Sequence, residues 1–171
     1  MKQMRAQTLV ELMVCLLIGG IMLTFAIPAL TSTQQLSQQT QAANQLLGAL
    51  HYARSTAVLS RTTVALCSGG TDCSAENIWQ SQLLVFGDLN RNGQLDSTEE
   101  LLQQLSMPKG YSWQWSNFRS RSYLQYEADG TTRALNGTFT LCHEDTPTKQ
   151  IVINLTGRAR TQSPSNDAPC S

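Results

Sequence analysis

Several groups of residues in this chain have side chains and spacings suited to chemistry. The stretch "DLNRNGQLDSTE" puts Asp88, Asn90, Asn92, Gly93, Asp96 and Glu99 at positions 1, 3, 5, 6, 9 and 12 of a calcium-loop spacing. A hard cation of that size is held by oxygens, and the glycine serves the sharp turn. Asn and Asp also build plain turns by bonding their own backbone, so calcium ligation and a structural turn both stand as readings. Arg158 and Arg160 in "GRAR" are two residues apart. On a strand they project to one side, about 6.5 Å apart, which suits neighbouring phosphates. Lys149 lies on the same arm, and Arg119 and Arg121 in "FRSRSY" form a second basic patch beside Tyr123. The bland alternative for such arginines is solvation of an outer strand. Glu11 stands inside an otherwise apolar run, where an ionisable group calls for a partner or a role. His51 and His143 belong to no Ser-His-Asp or paired-carboxylate arrangement, so no enzyme is expected.

Cysteine usage points to a compartment. Cys15 falls in the apolar run and reads as a small apolar residue. Cys67, Cys73, Cys142 and Cys170 are an even set, suited to two disulfides in an oxidising space. Three pairings are open. The favoured one joins Cys67 to Cys73 around "CSGGTDC" and Cys142 to Cys170, stapling the C-terminus to the body. Zinc is the alternative, though no CxxC spacing supports it.

Length and charge bound the rest. With 171 residues and 41% hydrophobic content the chain has room for one folded body plus an anchor. The formal net charge is zero. Without the leader residues Lys2 and Arg5, 10 basic residues face 12 acidic ones. Any attraction to nucleic acid must therefore be local.

These side chains need elements to hold them. From Leu9 to Leu30 the only charge is Glu11, and a helix of that length matches a bilayer core of about 30 Å. A secretory signal peptide is the rival reading, but Pro28-Ala29-Leu30 is a poor cleavage site. Lys2 and Arg5 keep the N-terminus cytoplasmic and send the remainder outward. Leu36, Ala43, Leu46, Leu47, Leu50, Ala53 and Ala57 then recur at three- and four-residue intervals. One helix is therefore predicted from about Leu9 to about Leu59, with an apolar stripe on its second half. Seven short runs follow: "TVALCS", "SQLLVF", "LLQQLS", "YSWQWS", "SYLQYE", "TFTLCH" and "QIVINL". They read as strands, with Asp129-Gly130 and Asn136-Gly137 as hairpin-turn signals. The fold class is α+β, a long helix packed on an antiparallel sheet. The expected organisation is a leader at 1–6, a transmembrane half-helix at 7–31, an amphipathic half at 32–60 and a β-sheet domain at 61–171.

The N-terminal residues resemble those of the type IV pilin-like superfamily. "RA" followed by "QTLVE" fits its processing motif, with Ala6 in place of the usual glycine and Gln7 in place of the usual phenylalanine. Ala6 is then the last leader residue, Gln7 the first mature one and Glu11 the fifth. Pro28 falls where pilins of this type carry a helix-kinking proline. The resemblance implies cleavage after Ala6 by a prepilin peptidase, N-methylation at Gln7, and pairing of Glu11 with the freed amine of a neighbouring subunit. Snorkelling of Glu11 to the headgroups is the plainer alternative. "VFGDLNRNGQLDSTEELL" and "INLTGRARTQ" are similar to two motifs of the GspH/FimT group of minor pilins and pseudopilins. In FimT-like members associated with natural transformation, a C-terminal Gly-Arg-x-Arg contributes to DNA binding, and this maps onto Arg158 and Arg160. The resemblance thus implies an inner-membrane single-pass protein with a periplasmic domain, later extracellular in a pilus. Its implied partners are other major and minor pilins, the peptidase and double-stranded DNA, the last bound without sequence preference. A pilus-priming pilin or a type II secretion pseudopilin without DNA affinity is the alternative. No cofactor is implied.

Overall fold

A computed structural model of the chain describes residues 9–165 and 168–170; inside the first helix, the side chains of residue 23 and residues 25–29 lie outside this description. Helix α1 (Leu9–Ser60) takes in the whole predicted helical region. It is assigned as helix through Pro28, so the proline does not end it. It stops where Arg61 adopts a left-handed φ of 55°, a common way to close a helix. By contact density the chain forms two units, 1–38 and 39–171.

The first unit holds the start of α1, whose apolar side chains from Leu9 to Met22 are exposed. No helix among the described residues is long and apolar enough to cross a membrane. The expected span at 7–31 extends over residues outside that description, so it stays an expectation of the sequence. Leu36, predicted on the buried stripe, is exposed.

In the second unit the stripe runs Ala42, Ala43, Leu46, Ala49, Leu50, Ala53 and Ala57, all buried. These side chains belong to one buried cluster with residues of the strands. The strands are β1 (Val64–Ser68), β2 (Ile78–Trp79), β3 (Gln82–Gly87), β4 (Leu101–Ser106), β5 (Tyr111–Asn117), β6 (Leu124–Tyr126), β7 (Gly137–His143), β8 (Thr146–Ile153) and β9 (Ala159–Gln162). They form two antiparallel sheets where the sequence suggested one, in orders β4-β3-β1-β6 and β2-β5-β7-β8-β9. The division follows from pairing partners distant in sequence, which strand patterning does not encode.

Both sheets turn apolar side chains onto the helix stripe. Val64, Leu66, Val85, Leu124 and Tyr126 come from the first sheet, and Trp113, Trp115, Phe139, Leu141, Ile151 and Ile153 from the second. Trp79, Trp115 and Phe139 pack ring on ring, with Trp115 stacked on Phe139 at 4.0 Å and Trp79 edge-on at 4.7 Å. The central strands β1 and β3 of the first sheet are buried on their other face as well. Ala65, Cys67, Leu84 and Phe86 make a small second core there, covered by Cys73, Leu95 and Tyr123.

Asn136-Gly137, read from the sequence as a hairpin turn, is not one; Gly137 opens β7. The tight hairpin joins β7 to β8 through Glu144 and Asp145, at φ 48° and 62°. Two successive left-handed residues match the twist of the flanking strands, which is why this turn closes the hairpin. Asp129-Gly130 does turn the chain, but it leads from β6 in one sheet toward β7 in the other.

Candidate nucleic-acid interface

The "GRAR" segment begins in a three-residue hairpin loop between β8 and β9. One backbone bond and one side-chain bond join Asn154 to Arg158: the Asn154 N–H donates to the Arg158 carbonyl at 3.1 Å, and the Arg158 N–H donates to Asn154 Oδ1 at 2.9 Å. Gly157 closes the loop at φ 75°. A Cβ on Gly157 would lie 2.1 Å from the Gly130 carbonyl oxygen and 3.1 Å from Tyr126 Cε1. Arg54 of α1 fastens this corner, with Nε donating to the Gly130 carbonyl at 2.9 Å and Nη2 to the Thr156 carbonyl at 3.0 Å. The glycine of the motif is therefore explained by packing.

The arginines are not. β9 is an edge strand whose Ala159 packs against the core, while Arg158 and Arg160 on either side of it are exposed. Arg158 lies just before β9, outside the strand in which it was expected. Lys149 is separated from this pair by register. Arg160 faces Val152, and on β8 Lys149 is three residues from Val152, so it points to the opposite face. There Lys149 Nζ donates to Thr40 Oγ1 of the helix at 3.4 Å.

Arg119 and Arg121 join the "GRAR" pair at one end of the second sheet. Asn117, Gly137, Ile153 and Ala159 are aligned across β5, β7, β8 and β9, so the loops beyond them emerge at one edge. The loops are also bonded to each other. The Phe118 N–H donates to the Asn136 carbonyl, and the Thr132 N–H to the Leu155 carbonyl, both at 3.4 Å. Between them stands Arg133, a residue the sequence reading missed. It sits in "TTRALNG", visibly a loop, but only the fold brings that loop to the "GRAR" turn. Arg119, Arg121, Arg133, Arg158 and Arg160 are all exposed, five of the chain's 12 lysines and arginines. The acidic neighbours are Glu127, 3.6 Å from Arg133 and 3.7 Å from Arg91, and Asp129. Hydrogen bonds from Thr131 hold the Asp129 carboxyl below its ordinary range. From β5 to β9 this edge is about 14 Å wide, about three phosphates of one DNA strand at a spacing of about 6.5 Å.

The Asp88 loop has a different character. Its oxygens are already used: Asp88 accepts from the Asn92 and Gly93 N–H groups and the Gln125 amide, Asn90 Oδ1 from Asn92 N–H, and Asn92 Oδ1 from Gln94 N–H. Asp96 accepts both asparagine side-chain amides, and Glu99 accepts from the Leu89 and Asp96 N–H groups. Among the described residues there is no group of three or more His, Cys, Asp or Glu able to hold a metal. The arrangement supports a self-bonded turn. Burial pushes the Asp88 carboxyl above its ordinary range, against the Gln125, Gly93 and Asn92 bonds that lower it. Gly93, at φ 73°, leaves room for the Tyr123 ring, 2.3 Å from where a Cβ would stand.

The remaining predicted residues are elsewhere. Cys67 is bonded to Cys73 and Cys142 to Cys170. Ala6 and Gln7 lie outside the described residues. Glu11 lies on α1 and is exposed. His143 stacks on Tyr111 at 4.5 Å, in no catalytic grouping.

Comparisons with known proteins agree with this architecture. The model of the GspH family, type II transport protein GspH, matches residues 42–157, and that of the prokaryotic N-terminal methylation motif matches residues 1–27. Two crystal structures of the type IV minor pilin FimU from Pseudomonas aeruginosa (strain PAO1) are similar in fold. One has a TM-score of 0.60 at 23% identity and covers 81% of this chain and 97% of that one. The other has a TM-score of 0.58 at 24% identity and covers 77% and 98%. No curated protein sequence matches the chain.

Proposed function

The chain belongs to the GspH family and has the type IV pilin fold, and from that premise we propose that it is a minor pilin that binds DNA non-specifically for uptake. The methylation motif implies processing by a prepilin peptidase and assembly with other pilins. In the proposed sequence of events, cleavage follows Ala6 and Gln7 is methylated. Residues 7–31 anchor the chain in the inner membrane, with 32–60 and the body at 61–171 on the periplasmic side. Assembly then carries the body out on a pilus, with Glu11 of one subunit pairing with the Gln7 amine of another and Pro28 adjusting the helix. The family and fold are those of structural proteins, not of enzymes.

One observation carries the DNA reading: five exposed arginines share one sheet edge in a chain of zero net charge. Such a patch favours phosphates and reads no base sequence. Fluorescence anisotropy with a labelled duplex and the full chain in detergent tests it. Micromolar binding in low salt, weakened at least tenfold in an Arg158→Ala, Arg160→Ala double variant, is expected. Equal affinity of the double variant removes the assignment from these arginines.

The second reading is a pilus-priming pilin or type II secretion pseudopilin without DNA affinity. The description of the matched family, type II transport protein GspH, favours the secretion form of this reading. Absence of binding at low salt would select it. Under either reading Glu11→Ala is expected to lower incorporation into filaments, and unchanged incorporation removes the ion-pair role.

A further inference from the structure

The loop between β5 and β6 displays Phe118 with 83% of its surface exposed, amid the arginine edge. Loop flexibility does not account for this exposure, because the loop is pinned at both ends. At its start Asn117 Oδ1 accepts the N–H groups of Arg119 and Arg121, at 3.2 and 3.0 Å, and Nδ2 donates to the Arg121 carbonyl at 2.7 Å. At its end the core indoles of Trp79 and Trp115 donate to the carbonyls of Ser122 and Tyr123, at 3.0 and 3.3 Å. Arg121 sits 6.0 Å from the Tyr123 ring centroid. The fold thus spends hydrogen bonds from two buried tryptophans on a loop that holds a phenyl ring in water. A loop whose backbone is already fixed loses little conformational freedom when something stacks on its ring.

We propose that Phe118 is a stacking platform for an unpaired base, so that this edge binds single-stranded DNA more tightly than duplex. The inference rests on the DNA reading above and adds the form of nucleic acid. Arg119, Arg121, Arg133, Arg158 and Arg160 supply the charge complementarity that favours a polyanion over an apolar protein surface. An aromatic face beside phosphate-binding cations is the combination that single strands use, and every base offers a face to it. In duplex DNA the bases are stacked on each other, and Phe118 gains nothing.

The test compares a labelled 20-nucleotide oligothymidine with a 20-base-pair duplex, using the full chain in detergent at one fixed salt concentration. The expected result is tighter binding of the single strand. Phe118→Ala should weaken it about tenfold while changing duplex affinity less than twofold, and Phe118→Trp should restore it. Equal loss on both DNAs, or no loss on either, overturns the platform while leaving the DNA reading in place. A Phe118→Ala variant that keeps both affinities but enters pili poorly assigns the ring to a neighbouring pilin instead and overturns the proposal. No binding of either DNA by the parent chain ends the DNA reading and this inference together.

Discussion

Gly157→Ala separates the two roles combined in the Gly-Arg-x-Arg segment. At φ 75° an alanine is held in the left-handed region, which costs about 1–2 kcal/mol. Its Cβ would stand 2.1 Å from the Gly130 carbonyl oxygen, a contact that only a backbone shift can relieve. That carbonyl also accepts the Arg54 Nε bond at 2.9 Å, so the shift weakens a charge-donated hydrogen bond of a type contributing about 1.5–3 kcal/mol. Arg54 is half-buried, and partial loss is the appropriate allowance. Together these give about 3 kcal/mol, or a fall in Tm of about 10 °C for a body of this size. Thermal unfolding of the full chain in detergent, followed by circular dichroism, provides the measurement. The Arg158→Ala, Arg160→Ala double variant, run alongside, should stay within about 2 °C of the parent, because both side chains are exposed. A Gly157→Ala protein as stable as the parent would refute the packing account. A double variant as unstable as Gly157→Ala would mean that the arginines serve the fold.

Further expectations concern the rest of the body. The raised Asp88 carboxyl makes its ionised form less favoured in the fold than in the unfolded chain, so this group adds stability as pH falls through its folded pKa toward the ordinary value of 3.8. The Tm difference between the parent and Asp88→Asn should therefore shift in the parent's favour between pH 7 and 4; a shift the other way contradicts the burial argument. Millimolar calcium or its chelation should leave Tm within about 1 °C, as the loop oxygens already have donors; a rise of several degrees would restore the calcium reading. Replacing Cys142 and Cys170 by serine opens a loop spanning a separation of 28 residues and should cost about 3–4 kcal/mol by chain entropy, measured by urea denaturation; a loss under 1 kcal/mol argues against the staple.

Among the described residues, the sequence made the helix and seven of the nine strands legible, because a stripe such as Leu46, Leu50, Ala53 and Ala57 and alternation such as Trp113 and Trp115 are local patterns. β2 escaped notice because two residues carry no period. The Glu144-Asp145 hairpin escaped because left-handed glutamate has no composition signal, whereas Asn136-Gly137 has one and is not a turn. At the site, Arg158 and Arg160 were visible as a pair. The opposite facing of Lys149 required the β8–β9 register, and the placing of Phe118 and Arg133 at the same sheet end as "GRAR" required the whole strand order of the second sheet. Local chemistry was readable in advance, but convergence of loops was not.

The claim that this arginine edge neutralises phosphates is tested most directly by the salt dependence of duplex affinity. Each neutralised phosphate contributes about −0.9 to the slope of log affinity against log salt. If Arg158 and Arg160 each engage one phosphate, their double alanine variant should bind with a slope shallower by about 2. A slope unchanged from that of the parent chain would contradict the assignment.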